Sequence, residues 1–534
     1  MQCNCAVKEY TMSGPIPGDF PATVSRRRIL GVLATAALSG LTLAACGGSA
    51  AVPGTTSATA ATTASAAAVT NSAAPAATTQ AAASTAPTVA ITAATTAAGK
   101  ITASAAAATA APAQGAQTLQ WLMRTDPKEN PWEEKQAIPG FATAQPGITV
   151  QLIAVPFAEV DPKLTAMIAG GVPPDVFSEF GALGFGDYYQ RGVLAELTPL
   201  INRDHFDMGK FLPGVPQLYQ RAGKYFHLPQ VANFGEMIVY NKALFDNNGV
   251  PHPPASWNDT SWTWDAFMQA AQKLTRNPGQ PTAQYGADLG TIRNIYMAAY
   301  LWGGDAWPTE LYQTGLAQAS QLTDPKVVAA TQAVADAYFK QHVAPTAADA
   351  KSLSQVGGNI FITGKIAMTI SLPTQAYGSF KTLPFQWGLA PLPRQASNKH
   401  SVFNGCWFIE KDSKHVEASW EFLKYLDSDK SAAEMGAATG FLVPLTSAVD
   451  PWLKLFEAPT GMTAADIRTV ILDSNKNSVE NVNHLFVDWT DINSTMNKAT
   501  GAIWAGTTDA QTALTSAKGP VDALLSTTYG TYHK

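Results

Sequence analysis

Between Gly47 and Thr118 the chain is almost entirely Ala, Thr, Ser and Pro, with one charge, Lys100, and no aromatic side chain. Such a tract has too little apolar surface to order itself, and its Thr, Pro and Gly interrupt the helix that Ala favours. Folding is thereby confined to residues 119–534, which make one large domain or two lobes of ordinary size. All 13 Trp lie at or after Trp121, several beside Gly, Pro or Asn, where exposed indole faces suit flat apolar ligands. With 46% hydrophobic and 14% charged residues the composition is globular rather than that of a disordered polyelectrolyte. A net charge of −5 without a Lys/Arg run in the folded part is a poor surface for nucleic acid.

The first 45 residues read as an export signal. Ser25-Arg26-Arg27-Arg28-Ile29-Leu30 opens an apolar run that reaches Ala45 and ends in Leu43-Ala44-Ala45-Cys46-Gly47. The paired arginines resemble a twin-arginine signal, and Leu-Ala-Ala-Cys resembles the lipobox whose cysteine, here Cys46, becomes the lipidated first residue. At about 17 residues the run is near the lower limit for a spanning helix, the competing reading. Residues 46–118 are then an anchored tether; as a flexible coil their mean reach is roughly 45–50 Å, enough to cross a cell wall or surface layer. Cys3 and Cys5 leave with the signal, so Cys406 is the single cysteine of the folded part and no intrachain disulfide is expected.

The folded part alternates strand and helix. Leu119 to Met123, Ile148 to Ile153 and Asp175 to Phe177 read as strands, with helices over 132–141 and 161–169 between them. This is an α/β fold with a mostly parallel sheet, and such sheets bind ligands at the carboxyl ends of their strands. Later strands are expected at 236–240, 364–370 and 385–390, with helices at 242–247, 264–274, 324–341 and 414–426. Thr323 or Asp324 caps the third of these. Trp121, Trp264 and Trp420 fall at strand or helix periodicity and are expected in the core.

Catalytic signatures are missing. There is no Gly-x-Ser-x-Gly elbow and no His-Glu-x-x-His helix. Gly358 to Lys365 approaches a phosphate loop but has five residues between its glycines and Ile366 where Ser or Thr should hold magnesium. His227 and His484 stand singly, as core or surface histidines. Paired carboxylates for glycoside cleavage meet in space rather than along the chain, so sequence leaves that reading open.

Several segments in order carry a family resemblance. They are Ala169-Gly170-Gly171-Val172-Pro173-Pro174-Asp175-Val176, Gly192-Val193-Leu194-Ala195-Glu196-Leu197-Thr198-Pro199, and Leu228-Pro229 followed by Val239-Tyr240-Asn241-Lys242-Ala243-Leu244-Phe245. Trp262-Thr263-Trp264-Asp265-Ala266-Phe267, Trp302-Gly303-Gly304-Asp305, Gly364-Lys365-Ile366-Ala367-Met368 and Ala418-Ser419-Trp420-Glu421-Phe422-Leu423 complete the series. Over about 119–530 the chain resembles the extracellular solute-binding proteins of ABC importers, in the sugar-binding branch that includes maltose-binding protein.

The resemblance implies a two-lobe periplasmic-binding-protein-like fold with a hinge and an interlobe ligand cleft. The lobes would comprise 119–230 and 396–440 on one side, 231–395 and 441–534 on the other. It further implies a monomeric, lipid-anchored protein on the outer face of the cell membrane, without catalysis, cofactor or metal, that delivers a carbohydrate, preferably an oligosaccharide, to a permease. Carried over residue by residue, ligand contacts fall on Arg124, Thr125 and Asp126 after the first strand, Glu179 and Phe180 after the third, and Asn233 and Phe234 before the crossing strand. They continue on Arg293, Tyr296 and Trp302, on Thr374 and Tyr377, and on Trp489. Trp407, after Asn404-Gly405, is added from its Gly-flanked context, read as a loop. The competing readings are a receptor for a polyol phosphate or peptide, and a secreted glycoside-active or adhesive surface protein.

Overall fold

The computed structural model of the protein describes residues 117–178, 183–353 and 359–533. The signal, the tether and Cys46 lie outside them, as do Glu179 and Phe180. Among the described residues nine strands form two sheets. The first strand, β1 (Gln117–Arg124), shows why: Leu119, Trp121 and Met123 enter one core while Leu122 enters the opposite one, so both faces are covered. It lies parallel to β2 (Ile148–Val155) and β3 (Val176–Ser178), which brings the ends of β1 and β2, Arg124 and Val155, side by side.

The other strands are β4 (Leu228–Asn233), β5 (Met237–Asn241), β6 (Met368–Ser371), β7 (Trp387–Ala390), β8 (His400–Ile409) and β9 (Ser478–Glu480). The first sheet runs β2-β1-β3-β8-β4, with β9 beside β8, and the second runs β6-β5-β7. The expected parallel arrangement holds only for part of the molecule. β8 returns antiparallel to both β3 and β4, and the second sheet is antiparallel throughout.

The helices used below are α1 (Ile138–Ala144), α2 (Val160–Ala169), α3 (Phe185–Gln190), α4 (Trp264–Leu274), α5 (Ile295–Leu301) and α6 (Pro325–Phe339). They continue with α7 (Pro373–Phe380), α8 (Val416–Leu426), α9 (Asp429–Thr439), α10 (Trp489–Trp504) and α11 (Ala510–Tyr532). In α4 the buried Trp264, Phe267, Met268, Ala271 and Leu274 recur at helical spacing, and the Thr263 hydroxyl accepts the Ala266 N–H at 3.1 Å to start the helix. Asp324 starts α6 in the same way. No helix among the described residues is long and apolar enough to cross a membrane.

Each sheet anchors its own lobe. In the first, Trp121 meets Trp132, Trp407 and Phe422 at 6.4, 5.6 and 5.0 Å, with α1, α8 and α9 packed outside. In the second, Met237 and Val239 of β5 face Trp387, Trp452 and Phe456, while Ile238 and Tyr240 face α4, α5 and α6. The segment Phe234–Glu236 links β4 to β5, the start of β8 returns the chain to the first sheet, and residues 440–445 follow α9 back toward the second core.

Candidate functional site

A cavity of about 480 Å³ opens between the two sheets. The first lobe lines it with Arg124 at the end of β1 and Thr125, Asp126 and Lys128 in the turn that follows, with Phe157 just past the end of β2, and with Thr439 at the end of α9 and Phe441 after it. The second lobe contributes Asn359, Ser371 at the end of β6, and Thr374, Gln375, Ser379 and Phe380 of α7. This is where parallel strands end in exposed loops, the position at which α/β sheets bind ligands.

The β1 turn is held rigidly by its own side chains. Asp126 Oδ1 accepts the N–H groups of Lys128 and Glu129 at 2.8 and 3.1 Å, and Asn130 returns bonds to the Asp126 N–H and the Arg124 carbonyl. The Arg124 guanidinium is paired to the buried Glu129 carboxylate through both Nε and Nη2. Burial raises the Glu129 carboxyl above its ordinary value, and Arg124 opposes that rise. Glu133, at the start of a π-helical turn (Glu133–Ala137), accepts from Asn130 at 2.7 Å, and burial pushes its carboxyl up to about 8. The turn therefore sets Arg124 at the cavity wall with its own polar groups largely committed.

Across the cavity Thr374 donates to the Asn233 side chain, the Ser371 hydroxyl donates to the Leu372 carbonyl at 3.1 Å, and Asn359 accepts the Phe361 N–H at 2.9 Å. A Cβ on Gly378 of α7 would stand 2.7 Å from Lys128 Nζ, which places the end of this first-lobe lysine against the second lobe. A second cavity, of about 320 Å³ beside Tyr285, Tyr338, His342 and Asp349, shares no residue with the first. Among the described residues no three His, Cys, Asp or Glu side chains group as a metal site.

Of the contacts read from sequence, Arg124, Thr125, Asp126 and Thr374 line the cavity and Asn233 stands directly behind Thr374. The six aromatic candidates described and Arg293 go elsewhere. Trp407 is not in a loop: it belongs to β8, 1% exposed, edge-on to Trp121. Phe234 stacks on Trp452 at 5.6 Å, and Tyr377 packs on Phe456 at 5.4 Å with Lys381 over its ring. Tyr296 and Trp489 meet each other at 5.8 Å in a core that includes Trp307, Trp302 rests on Trp264 at 5.1 Å, and Arg293 stacks over Trp504 at 4.9 Å. None of these seven lines the cavity, because each has found an apolar partner within its lobe. His227 is buried, and burial pulls its imidazole down to about 3, as befits a neutral core histidine. Lys128, Phe157, Gln375, Ser379 and Phe441 were not foreseen. The strand-end rule points to Phe157, but only the fold brings Gln375 and Ser379 opposite it.

The comparisons with known proteins agree with this architecture. A protein of Brucella abortus (strain 2308), provisionally named a binding protein, is 25% identical over 312 residues, which is 57% of this chain and 70% of its own. An ABC substrate-binding protein of Listeria monocytogenes in complex with cycloalternan superposes with a TM-score of 0.64 at 23% identity, covering 78% of this chain and 99% of its own. Maltose-bound MalE3 of T. maritima gives 0.60 at 20% identity, covering 77% and 100%. The sugar-binding protein MalE of Xanthomonas citri gives 0.60 at 18%, covering 78% and 100%. The sequence matches the family described as bacterial extracellular solute-binding protein over residues 125–433, more than half of the chain, and the protein belongs to that family.

Proposed function

We propose that this protein captures a carbohydrate in the cavity between its two lobes, closes around it by hinge motion, and delivers it to an ABC permease. The single observation that carries this is a 480 Å³ cleft to which both lobes contribute polar side chains together with phenyl rings. Carbohydrates need that pairing, since their hydroxyls take amides, hydroxyls and charged donors while their apolar ring faces take aromatic rings. The sugars held by the structurally similar proteins support it. A ligand that touches both lobes favours the closed arrangement by its added contacts, which gives a permease a state to recognise.

Arg124, Thr125, Asp126, Asn233 and Thr374 are the ligand-side residues of this reading, with Glu179 and Phe180 assigned from the sequence resemblance. The chain passes between lobes near 231, 396 and 441. Residues 1–45 serve as a twin-arginine export signal, Cys46 as the lipidated residue, and 46–118 as the tether, so a monomeric receptor is held outside the cell membrane. It performs no catalysis. Thermal unfolding against a panel of mono- and oligosaccharides tests the core of the reading. A sugar at 100 times its Kd should add about 2.7 kcal/mol of stability and raise Tm by several degrees. A flat response across ring sugars, with a rise for phosphorylated polyols or peptides, would replace carbohydrate as the ligand class.

A further inference from the structure

Phe157 follows β2 in the short turn Phe157–Glu159, and Pro156 before it fixes the chain's exit from the strand. Its ring is 51% exposed, one of three large hydrophobic side chains so placed among the described residues, and it lines the cavity. No other described ring lies against it. By contrast Phe380, across the cavity, is 1% exposed and spoken for by Phe361 and Trp387. On the facing lobe Gln375 and Ser379 stand one helical turn apart on α7, hence on one face, both exposed to the cavity and both without a hydrogen-bond partner among the described residues. Their neighbours Thr374 and Ser371 already donate to Asn233 and Leu372. Asn359 accepts the Phe361 N–H, so Gln375 and Ser379 are the polar side chains that line the cavity from the second lobe with no hydrogen-bond partner among the described residues.

We infer that Phe157 of the first lobe and Gln375 and Ser379 of the second form one pyranose subsite, a refinement that rests on the carbohydrate reading above. The apolar face of a ring sugar lies on the Phe157 phenyl, and adjacent hydroxyls, each both donor and acceptor, meet an amide and a hydroxyl with the same dual capacity. An acyclic polyol has no flat face for Phe157. The subsite is complete only when both lobes contribute, so the sugar that fills it also ties the lobes together.

The test is calorimetric titration of the full chain with the ring sugar giving the largest thermal shift, in wild type, Phe157→Ala, Phe157→Trp and the double variant Gln375→Ala/Ser379→Ala. Losing a covered phenyl should weaken binding by about tenfold to a hundredfold, and Phe157→Trp should restore it to within a few-fold of wild type. The double variant should weaken binding by about tenfold or more. All three side chains are exposed, so the unliganded Tm should not move in any variant. Wild-type affinity in Phe157→Ala, or a loss that Phe157→Trp fails to restore, overturns the subsite while leaving a sugar receptor. If no ring sugar binds the wild-type chain, the carbohydrate reading falls and the subsite with it.

Discussion

Trp407 is 1% exposed, and its ring meets Trp121 at 5.6 Å in the core of the first lobe. Truncating so large a side chain there leaves a void that its neighbours fill only in part, so Trp407→Ala should cost about 3–5 kcal/mol in denaturant unfolding. Because Trp407 does not line the cleft, sugar affinity should hold wherever the variant stays folded; an affinity loss without a stability loss would return Trp407 to the site. The same contrast explains which site residues were legible. Arg124 and Asp126 follow a strongly apolar strand, and strand ends in an α/β fold face ligand, so local pattern sufficed. An aromatic residue in a glycine-flanked or carried-over position has no comparable signal, since Trp407 sits in β8 and Trp489 in α10, both buried by partners distant in the chain. Gln375 and Ser379 gain meaning only from the opposite lobe.

Strand β4, the linker Phe234–Glu236 and β5 carry the chain from one sheet to the other beside β8, and the linker holds a buried carboxyl. Glu236 is 2% exposed, its Oε2 has no hydrogen-bond partner, and burial alone pushes it up to about 8. His400, on β8 against Gly235, is pulled by burial down to about 4 and stays neutral. The unfolded chain releases the Glu236 proton near the ordinary value of 4.5, whereas the folded chain keeps it to about 8. Between those values the folded state binds the extra proton, so stability falls as pH rises. Glu236→Gln should flatten that fall in Tm measured from pH 5 to 9; an unchanged slope would show that Glu236 is not its source. At this scale the early strands and the amphipathic α4, α6 and α8 were readable from periodicity. β8 was not, because its Asn-Gly-Cys stretch has strand geometry only through pairing with β3 and β4. Nor were α10 and α11 foreseen, the latter carrying Pro520 inside it.

The molecule as a whole is two sheet-centred lobes that share part of one continuous core and face each other across one cleft, with Arg124, Phe157 and Phe441 on one side and Thr374, Gln375 and Ser379 on the other. Fold class and family order were legible from the sequence, because many short segments in series constrain a topology that no one of them does. The chemistry of the cleft was legible on its first-strand side and at Asn233 and Thr374, but not at Phe157, Gln375 or Ser379. The most direct test of carbohydrate capture is a crystal structure grown with the sugar that most raises Tm. The expected result is sugar density between Phe157 and α7, within reach of Arg124. Density confined to the outer cavity beside Tyr285 and His342, with the cleft empty, would contradict it.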